Sequence, residues 1–595
     1  MSADFNSYLS ALNTQLGTGD AREHAYRGAF ADLIHTIKPD ITAVNEPAYT
    51  GGNAPDFLFK KGDTPIAYAE CKDLDVDLSS KAVQKQAQRY VDAFGRILLT
   101  NYHAFLIIDE TGVIASFKVA DFKQDKLSAN KEYFQEAADL LDDYLQPSHR
   151  TIRSSRKLAI IMAAKARILR DNALKALEAN DEHSDLVQQF NTFKEVLIKH
   201  LTEEEFADMY AQTIVYGLFV ARYHDKSLDT FSRHEAHDLL PSTNKLLKKF
   251  FSHIAGVNFD EKLAWIVDSL VDAYKSTDVH GIMHKDFVAH SKDPVLHFYE
   301  TFLGEYDPKL RKSRGVYYTP DSVVGLIVRS VDEILKDKFN LSDGLADSSM
   351  TTIETKSQQA DKRTKTGKKV SKELVHRLQI LDPAVGTGTF LNEIINHISQ
   401  SFEGQEGAWK SYAQKDLLPR LHGFELMMAS YTMAHLKLGI TLRELGYDGE
   451  DRLSVWLTNS LERGITEVPN LFMAQWLTEE SAKASKIKSD LPVMVVMGNP
   501  PYSIMSGNLS DDQKQLVEQY KYVDGKKIVE RGALRFEMNL NDDYVKFIAY
   551  AQKVIEENGE GIVAYINNNN YLSAPTFRGM RESLFNTFDE VYILD

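Results

Sequence analysis

Val493-Met494-Val495-Val496-Met497-Gly498-Asn499-Pro500-Pro501-Tyr502 is the stretch that decides the fold. Its first six residues are an unbroken apolar run ending in glycine, the composition of a strand buried on both faces, as in a parallel sheet. The run then opens into a turn that presents one amide and one aromatic ring. Two prolines fix φ and withdraw backbone donors, so the Asn499 side-chain oxygen and the Pro500 carbonyl stay aimed as acceptors. Each can take one hydrogen of an exocyclic NH2, which leaves the nitrogen lone pair free to face an electrophile. Tyr502 can stack on the ring that bears such an amine, and a nucleobase flipped out of a duplex offers both. By itself the tetrapeptide reads better as a proline-rich turn after a core strand.

Upstream, Ile380-Leu381 runs into Asp382-Pro383-Ala384-Val385-Gly386-Thr387-Gly388-Thr389-Phe390-Leu391, followed by a helical stretch from Asn392 to Ser401. Glycines between a strand and a helix let backbone approach a ligand at the carboxyl edge of a parallel sheet. Leu391 stands where a dinucleotide fingerprint has its third glycine, and no Lys-Ser or Lys-Thr follows as in a P-loop. Glu425 closes the next apolar segment, where a carboxylate suits the two hydroxyls of a ribose. Asn459, after Trp456-Leu457-Thr458, is placed to read an adenine edge.

With these residues in order, roughly 310–595 closely resembles the gamma-class amino-methyltransferases of DNA, which make N6-methyladenine from S-adenosyl-L-methionine. Arg314-Gly315-Val316-Tyr317-Tyr318-Thr319-Pro320 resembles the segment that touches the methionine part of the cofactor, and Asp543-Tyr544 with Phe547 a following helix motif. The resemblance implies cofactor binding by Tyr317, Thr319, Pro320, Asp382, Pro383, Ala384, Gly386, Gly388, Phe390, Glu425 and Asn459. It implies catalysis by Asn499, Pro500, Pro501 and Tyr502, with Tyr502 and Phe577 stacking on the flipped base. Acceptors on the amine favour a pyramidal nitrogen and stabilise its developing positive charge; the rest is orientation toward the sulfonium methyl.

The N-terminus carries a second pattern. Pro55-Asp56-Phe57-Leu58-Phe59 and Pro65-Ile66-Ala67-Tyr68-Ala69-Glu70-Cys71-Lys72 read as two strands of a hairpin. If the turn centres near Asp63, Asp56 lies opposite Glu70, and alternation puts Glu70 and Lys72 on one face with Cys71 on the other. Two carboxylates and a lysine can hold Mg2+, activate water and stabilise a pentacovalent phosphate. The set resembles the PD-(D/E)xK nucleases, with Asp56 and Glu70 as metal ligands. Glu23 resembles the family's acid on a preceding helix. Gln86 and Tyr90, four apart on a predicted helix, resemble the Q-x-x-x-Y of restriction-type nucleases. A surface hairpin with an ordinary salt bridge is the alternative.

The chain has 595 residues, 43% hydrophobic and 26% charged, the composition of a globular protein of several domains. One cysteine, Cys71, excludes an internal disulfide and a cysteine-rich zinc site. No apolar run reaches membrane-span length and no signal peptide is indicated, so no membrane is involved and a cytoplasmic location is expected. A net charge of −16 does not argue against DNA, because affinity depends on local basic stripes such as 149–157, 245–249 and 309–314.

The expected organisation is α/β: a restriction-endonuclease-like domain (1–150), a helical connector (151–305) and a Rossmann-like S-adenosylmethionine-dependent methyltransferase domain (306–595). The stretch 341–372, polar and poor in apolar residues, reads as a mobile loop. Together the parts resemble fused restriction–modification enzymes of types IIG and IIL, and also type ISP. No G-x-x-x-x-G-K-[ST] occurs, and the connector is short for an ATP-driven motor. Double-stranded DNA is the expected partner. Val591–Asp595 reads as a strand, with a C-terminal target-recognition domain or a separate specificity subunit expected to complete the chain. A methyltransferase with an inactive nuclease-like domain, or a non-catalytic DNA-binding subunit, would use the same folds.

Overall fold

A computed structural model describes residues 4–594, except 20, 46–54, 63, 147–151, 153, 182–183, 226, 228–229, 242–243, 257–258, 284–293, 308–318, 361–367, 463–471, 503–509 and 530–536. Tyr317 and the basic stretch 309–314 therefore lie outside the described residues. The chain forms two compact units. One comprises Met1–Leu186, Tyr210–Leu239 and Phe251–Tyr306; the other comprises Val187–Met209, Leu240–Phe250 and Asp307–Asp595.

In the first unit a six-stranded sheet keeps chain order in space: β1 (Ile41–Asn45), β2 (Phe57–Lys61), β3 (Thr64–Cys71), β4 (Arg96–Thr100), β5 (Ala104–Asp109) and β6 (Gly112–Lys118). A small hairpin of β7 (Ala120–Lys123) and β8 (Lys126–Ala129) follows. β3 and β4 are parallel, so a tight turn cannot join them; the helix Lys81–Phe94 makes the crossover. In the β2–β3 hairpin Phe57 pairs with Ala69, the register expected of a turn near Asp63, and one further step sets Asp56 beside Glu70. Alternation sends Phe57, Phe59, Ala67, Ala69 and Cys71 into one apolar core with Phe5, Phe30 and Phe105. Glu70 and Lys72 are thereby turned to the opposite face.

On that face Tyr68 stacks on Phe94 at 3.9 Å between centroids. The helix Lys81–Phe94 packs in turn against Ser155–Glu178, which contacts Glu261–Lys275 and Pro294–Tyr306. Val187–Met209 and Leu240–Phe250 of the region expected as a connector group with the second unit, whereas the helices Ser155–Glu178, Glu261–Lys275 and Pro294–Tyr306 group with the first. Lys165 is buried among them and donates to Ser269 Oγ at 2.5 Å, the hydroxyl that Tyr68 also meets at 3.0 Å.

The second unit opens with the helix Asp321–Phe339 and a correction. The stretch 341–372, expected as a loop, contains β9 (Met350–Ala360), paired antiparallel with β10 (Lys368–His376). A two-stranded ribbon pairs half of its backbone groups across itself, leaves the outward half to solvent and needs no buried apolar face, so polarity did not exclude strand; Leu374 is 64% exposed. Five parallel strands follow: β11 (Gln379–Asp382), β12 (Leu421–Glu425), β13 (Ser454–Leu457), β14 (Val493–Gly498) and, after a short ribbon of β15 (Tyr522–Val523) and β16 (Lys526–Lys527), β17 (Ile562–Tyr565). Their spatial order is β13-β12-β11-β14-β17, a doubly wound sheet that reverses direction between β11 and β14. Every residue of β11 and β14 is buried, as central strands covered on both faces require.

Residues 591–594, expected as a strand, have no strand pairing and are exposed, Leu594 at 80%. An apolar run becomes a strand only when a neighbour supplies backbone partners. Among the described residues no helix is long and apolar enough to cross a membrane.

Candidate functional site

The second unit gathers its candidate residues at the carboxyl ends of β11, β12, β13 and β14. Asp382 ends β11, 1% exposed; its Oδ1 accepts from Ala384 N at 3.0 Å, and burial pushes its carboxyl up to about 7. The loop then needs backbone that only glycine adopts freely: φ is +56° at Gly386 and +86° at Gly388, which caps the helix Thr389–Gln400. Pro383 O accepts from Ser460 Oγ at 2.5 Å, tying this loop to the one after β13. Phe390 is buried inside the helix's packing face and anchors the loop without reaching solvent.

Glu425, at the end of β12, accepts from Gly386 N at 2.8 Å on Oε2 and from Leu426 N and Met427 N at 2.9 and 2.8 Å on Oε1. Burial raises it to about 7 against the pull of these three donors. A carboxylate offers about four lone-pair sites, so one remains for an incoming hydroxyl. After β13, Asn459 Oδ1 accepts from Leu461 N at 3.1 Å. Sequence reading missed Lys488, whose Nζ donates to Thr458 Oγ1 (3.2 Å), Asn459 O (2.6 Å) and Glu462 O (2.9 Å). Burial lowers this lysine to about 7. Its signal was a lysine in the last turn of the helix Phe472–Ser489, a common solvated position.

Asn499 leaves the end of β14, the strand next to β11. The strands approach so closely that a Cβ on Gly498 would lie 2.6 Å from Asp382 Oδ1. Asn499 Nδ2 donates to Thr319 Oγ1 at 3.0 Å, and Asn499 Oδ1 accepts from Tyr502 OH at 2.8 Å. One of the two lone pairs of the acceptor expected to receive an amine is thus taken by the chain's own hydroxyl. Pro500 is buried, Pro501 and Tyr502 are half-buried, and Pro320 is exposed at the start of the helix Asp321–Phe339. Phe577, expected against a flipped base, is 2% exposed and packs with Tyr544 and Met580; it serves the core here, and half-buried Tyr571 lies nearer the surface of that cluster.

The first unit gathers the other expected set. Lys72 Nζ and Gln86 Nε2 both donate to Glu70 Oε1 at 2.6 Å, and Asp56 Oδ2 accepts from Cys71 N at 2.7 Å. Tyr90 is buried, with its hydroxyl's ionisation suppressed by burial and then by the Glu70 charge. Glu23 joins through a residue the sequence reading overlooked: Arg27 Nη2 donates to Glu23 Oε1 at 2.8 Å and to Asp56 Oδ1 at 2.5 Å. The Glu23/Arg27 spacing of four on one helix was the available signal.

Burial raises Asp56, opposed by Cys71 N–H and Arg27, and raises Glu70 to about 8, helped by the Asp56 charge and opposed by Lys72. Glu70 Oε2 is buried with no hydrogen-bond partner. Among the described residues no group of three or more His, Cys, Asp or Glu could hold a metal. Mg2+ commonly needs only one or two carboxylates with waters, so the unpartnered Glu70 oxygen fits such an ion while Arg27 competes with it at Asp56.

Residues 290–371 and 366–582, about half of the chain, match the family of N-6 DNA methylases, so this part is an N6-adenine DNA methyltransferase domain. No curated protein matches the chain. Among solved structures, the chain is similar to the DrdV–DNA complex at 19% identity and a TM-score of 0.50, covering 99% of this chain and 52% of that one. It is also similar to the ATP-dependent type ISP restriction–modification enzyme LlaBIII bound to DNA, at 19% identity and a TM-score of 0.50, covering 76% of this chain and 28% of that one. These likenesses concern the fold, and the chain spans about half the length of DrdV or less than a third of LlaBIII.

Proposed function

We propose, from the methylase domain as premise, that the chain methylates adenine N6 in a specific site of double-stranded DNA and cuts DNA that lacks the mark. The observation that carries the first half is the adjacency of β11 and β14 at the sheet's reversal. The glycine loop and the Asn499 turn then share one crevice, where ligands of open α/β sheets bind. S-adenosyl-L-methionine supplies the electrophilic methyl group when bound. The backbone at Asp382–Gly388, the free lone-pair site of Glu425 and the Asn459 loop would hold it. Asn499 Oδ1 and Pro500 O then take the two amine hydrogens, keep the lone pair pointed at the methyl, and stabilise the charge that grows on nitrogen. Tyr502 gives up its bond to Asn499 when the amine arrives and offers its ring to the base.

The second half rests on the Asp56, Glu70, Lys72 and Gln86 cluster, completed by Glu23 and Tyr90. Mg2+ would supply a bound water as nucleophile, and Glu70 Oε2 is the oxygen available to hold it. Lys72 would steady the charge on phosphate. The Arg27–Asp56 ion pair favours a second reading, in which this cluster binds no metal and the chain methylates without cutting.

One experiment separates the readings. Cells lacking adenine methylation would express the gene with its natural flanking coding sequence, as wild type, Asn499→Ala or Lys72→Ala, and N6-methyladenine would be mapped genome-wide. Wild type and Lys72→Ala should share one methylated motif, and Asn499→Ala should show none. Purified Asn499→Ala should still cut unmethylated DNA with Mg2+, and Lys72→Ala should not. Methylation by Asn499→Ala would overturn the site assignment, and absence of any wild-type cleavage would select the second reading.

A further inference from the structure

We infer that Thr319 is the positioning residue that keeps the Asn499 amide the right way round for the target amine. The inference rests on the methyl-transfer reading of the same site. A carboxamide carries an acceptor at one end and two donors at the other, and its ends are told apart only by neighbours. Were Asn499 reversed, its N–H groups would face the N–H groups of the amine, and the acceptor that frees the lone pair would be gone.

Both ends are held in this structure, Nδ2 by Thr319 Oγ1 at 3.0 Å and Oδ1 by Tyr502 OH at 2.8 Å. The two holds differ in consequence. Under the methyl-transfer reading Tyr502 leaves Oδ1 to offer its ring to the base, so during methyl transfer only the Thr319 end remains. Thr319 is suited to that task by its place in the chain. It precedes Pro320, which caps the helix Asp321–Phe339 with φ −58°, and that helix packs against Thr389–Gln400, the helix that begins at Gly388. The hydroxyl is therefore carried by the same packed pair of helices that shapes the glycine loop. The segment expected to touch the cofactor gives this side chain to the catalytic amide.

The test uses the protein expressed with its natural flanking coding sequence, as wild type, Thr319→Val and Thr319→Ser. Valine keeps the branching and removes the hydroxyl; serine keeps the hydroxyl. Two readouts are taken: hydrogen exchange of the Asn499 side-chain NH2 in asparagine-labelled protein, its signals identified by their loss in Asn499→Asp, and transfer of labelled methyl from S-adenosylmethionine to unmethylated genomic DNA. In Thr319→Val the amide should exchange roughly tenfold faster. Its kcat should fall about 10- to 100-fold, the size of a small misplacement of a reacting group, with KM for the cofactor within about twofold of wild type. Thr319→Ser should restore both. Equal amide exchange in wild type and Thr319→Val overturns the inference, as does a raised cofactor KM with kcat unchanged, which would make Thr319 a cofactor contact. If the wild type transfers no methyl group, the methyl-transfer reading fails by itself, and amide exchange still decides the Thr319 contact.

Discussion

The two candidate sites are built by opposite means. Around Glu70 the groups are side chains holding side chains: Arg27 bridges Glu23 and Asp56, while Lys72 and Gln86 share one Glu70 oxygen. Around Asp382 and Glu425 they are backbone N–H groups holding carboxylates, at strand ends where glycine lets the chain bend close. A side-chain network depends on each member's charge and fails electrostatically. A backbone-shaped site depends on room, and fails sterically.

The sharpest way to break the first is Arg27→Met. Arg27 is 3% exposed, and removing it leaves Glu23 and Asp56 facing each other uncompensated, at a cost of about 3 kcal/mol. The first unit should melt several degrees lower, while S-adenosylmethionine binding by calorimetry stays as in wild type; an unchanged melting profile would contradict the network reading. The matching break in the second site is Gly498→Ala. Its methyl would sit 2.6 Å from Asp382 Oδ1, and relieving such a clash costs about 2 kcal/mol. Cofactor affinity should fall more than tenfold with the Glu70 cluster untouched, and an alanine variant that binds as tightly as wild type would show that the strands have slack.

The smallest effect is electrostatic. Glu70 has an ordinary value of 4.5 and is pushed up to about 8, so the folded chain keeps a proton there that the unfolded chain has lost. That contribution to stability is complete below pH 4.5 and disappears as pH rises through about 8. Glu70→Gln cannot ionise. Its melting temperature should therefore gain on wild type between pH 7 and 8, by the equivalent of about 1 kcal/mol. Thermal scans in matched buffers would check this, and a difference that stays flat with pH would rule it out.

The same contrast explains what could be read from sequence. That the glycine loop, Glu425 and the Asn499 turn lie at strand ends was legible because each closes an apolar run, and the β2–β3 register followed from period two. Arg27, Lys488 and the Tyr502–Asn499 bond were not, because which partner a long or rotatable side chain takes is settled by packing. The ribbon of β9 and β10 was missed for a related reason: two strands that pair only with each other leave no apolar signature.

The hydroxyl of Tyr502 on Asn499 bears on turnover. Under the proposed reaction, adenine enters partly by exchange: the Tyr502 hydroxyl leaves the Asn499 oxygen as one amine hydrogen arrives, and the second amine hydrogen adds a bond to Pro500 O. After transfer the nitrogen keeps one hydrogen where it had two, and can satisfy only one of the two acceptors. Tyr502, a few ångströms away, can then reclaim Asn499. The enzyme thus carries its own competitor for the product, one that the unmethylated base displaces on better terms than the methylated base can hold.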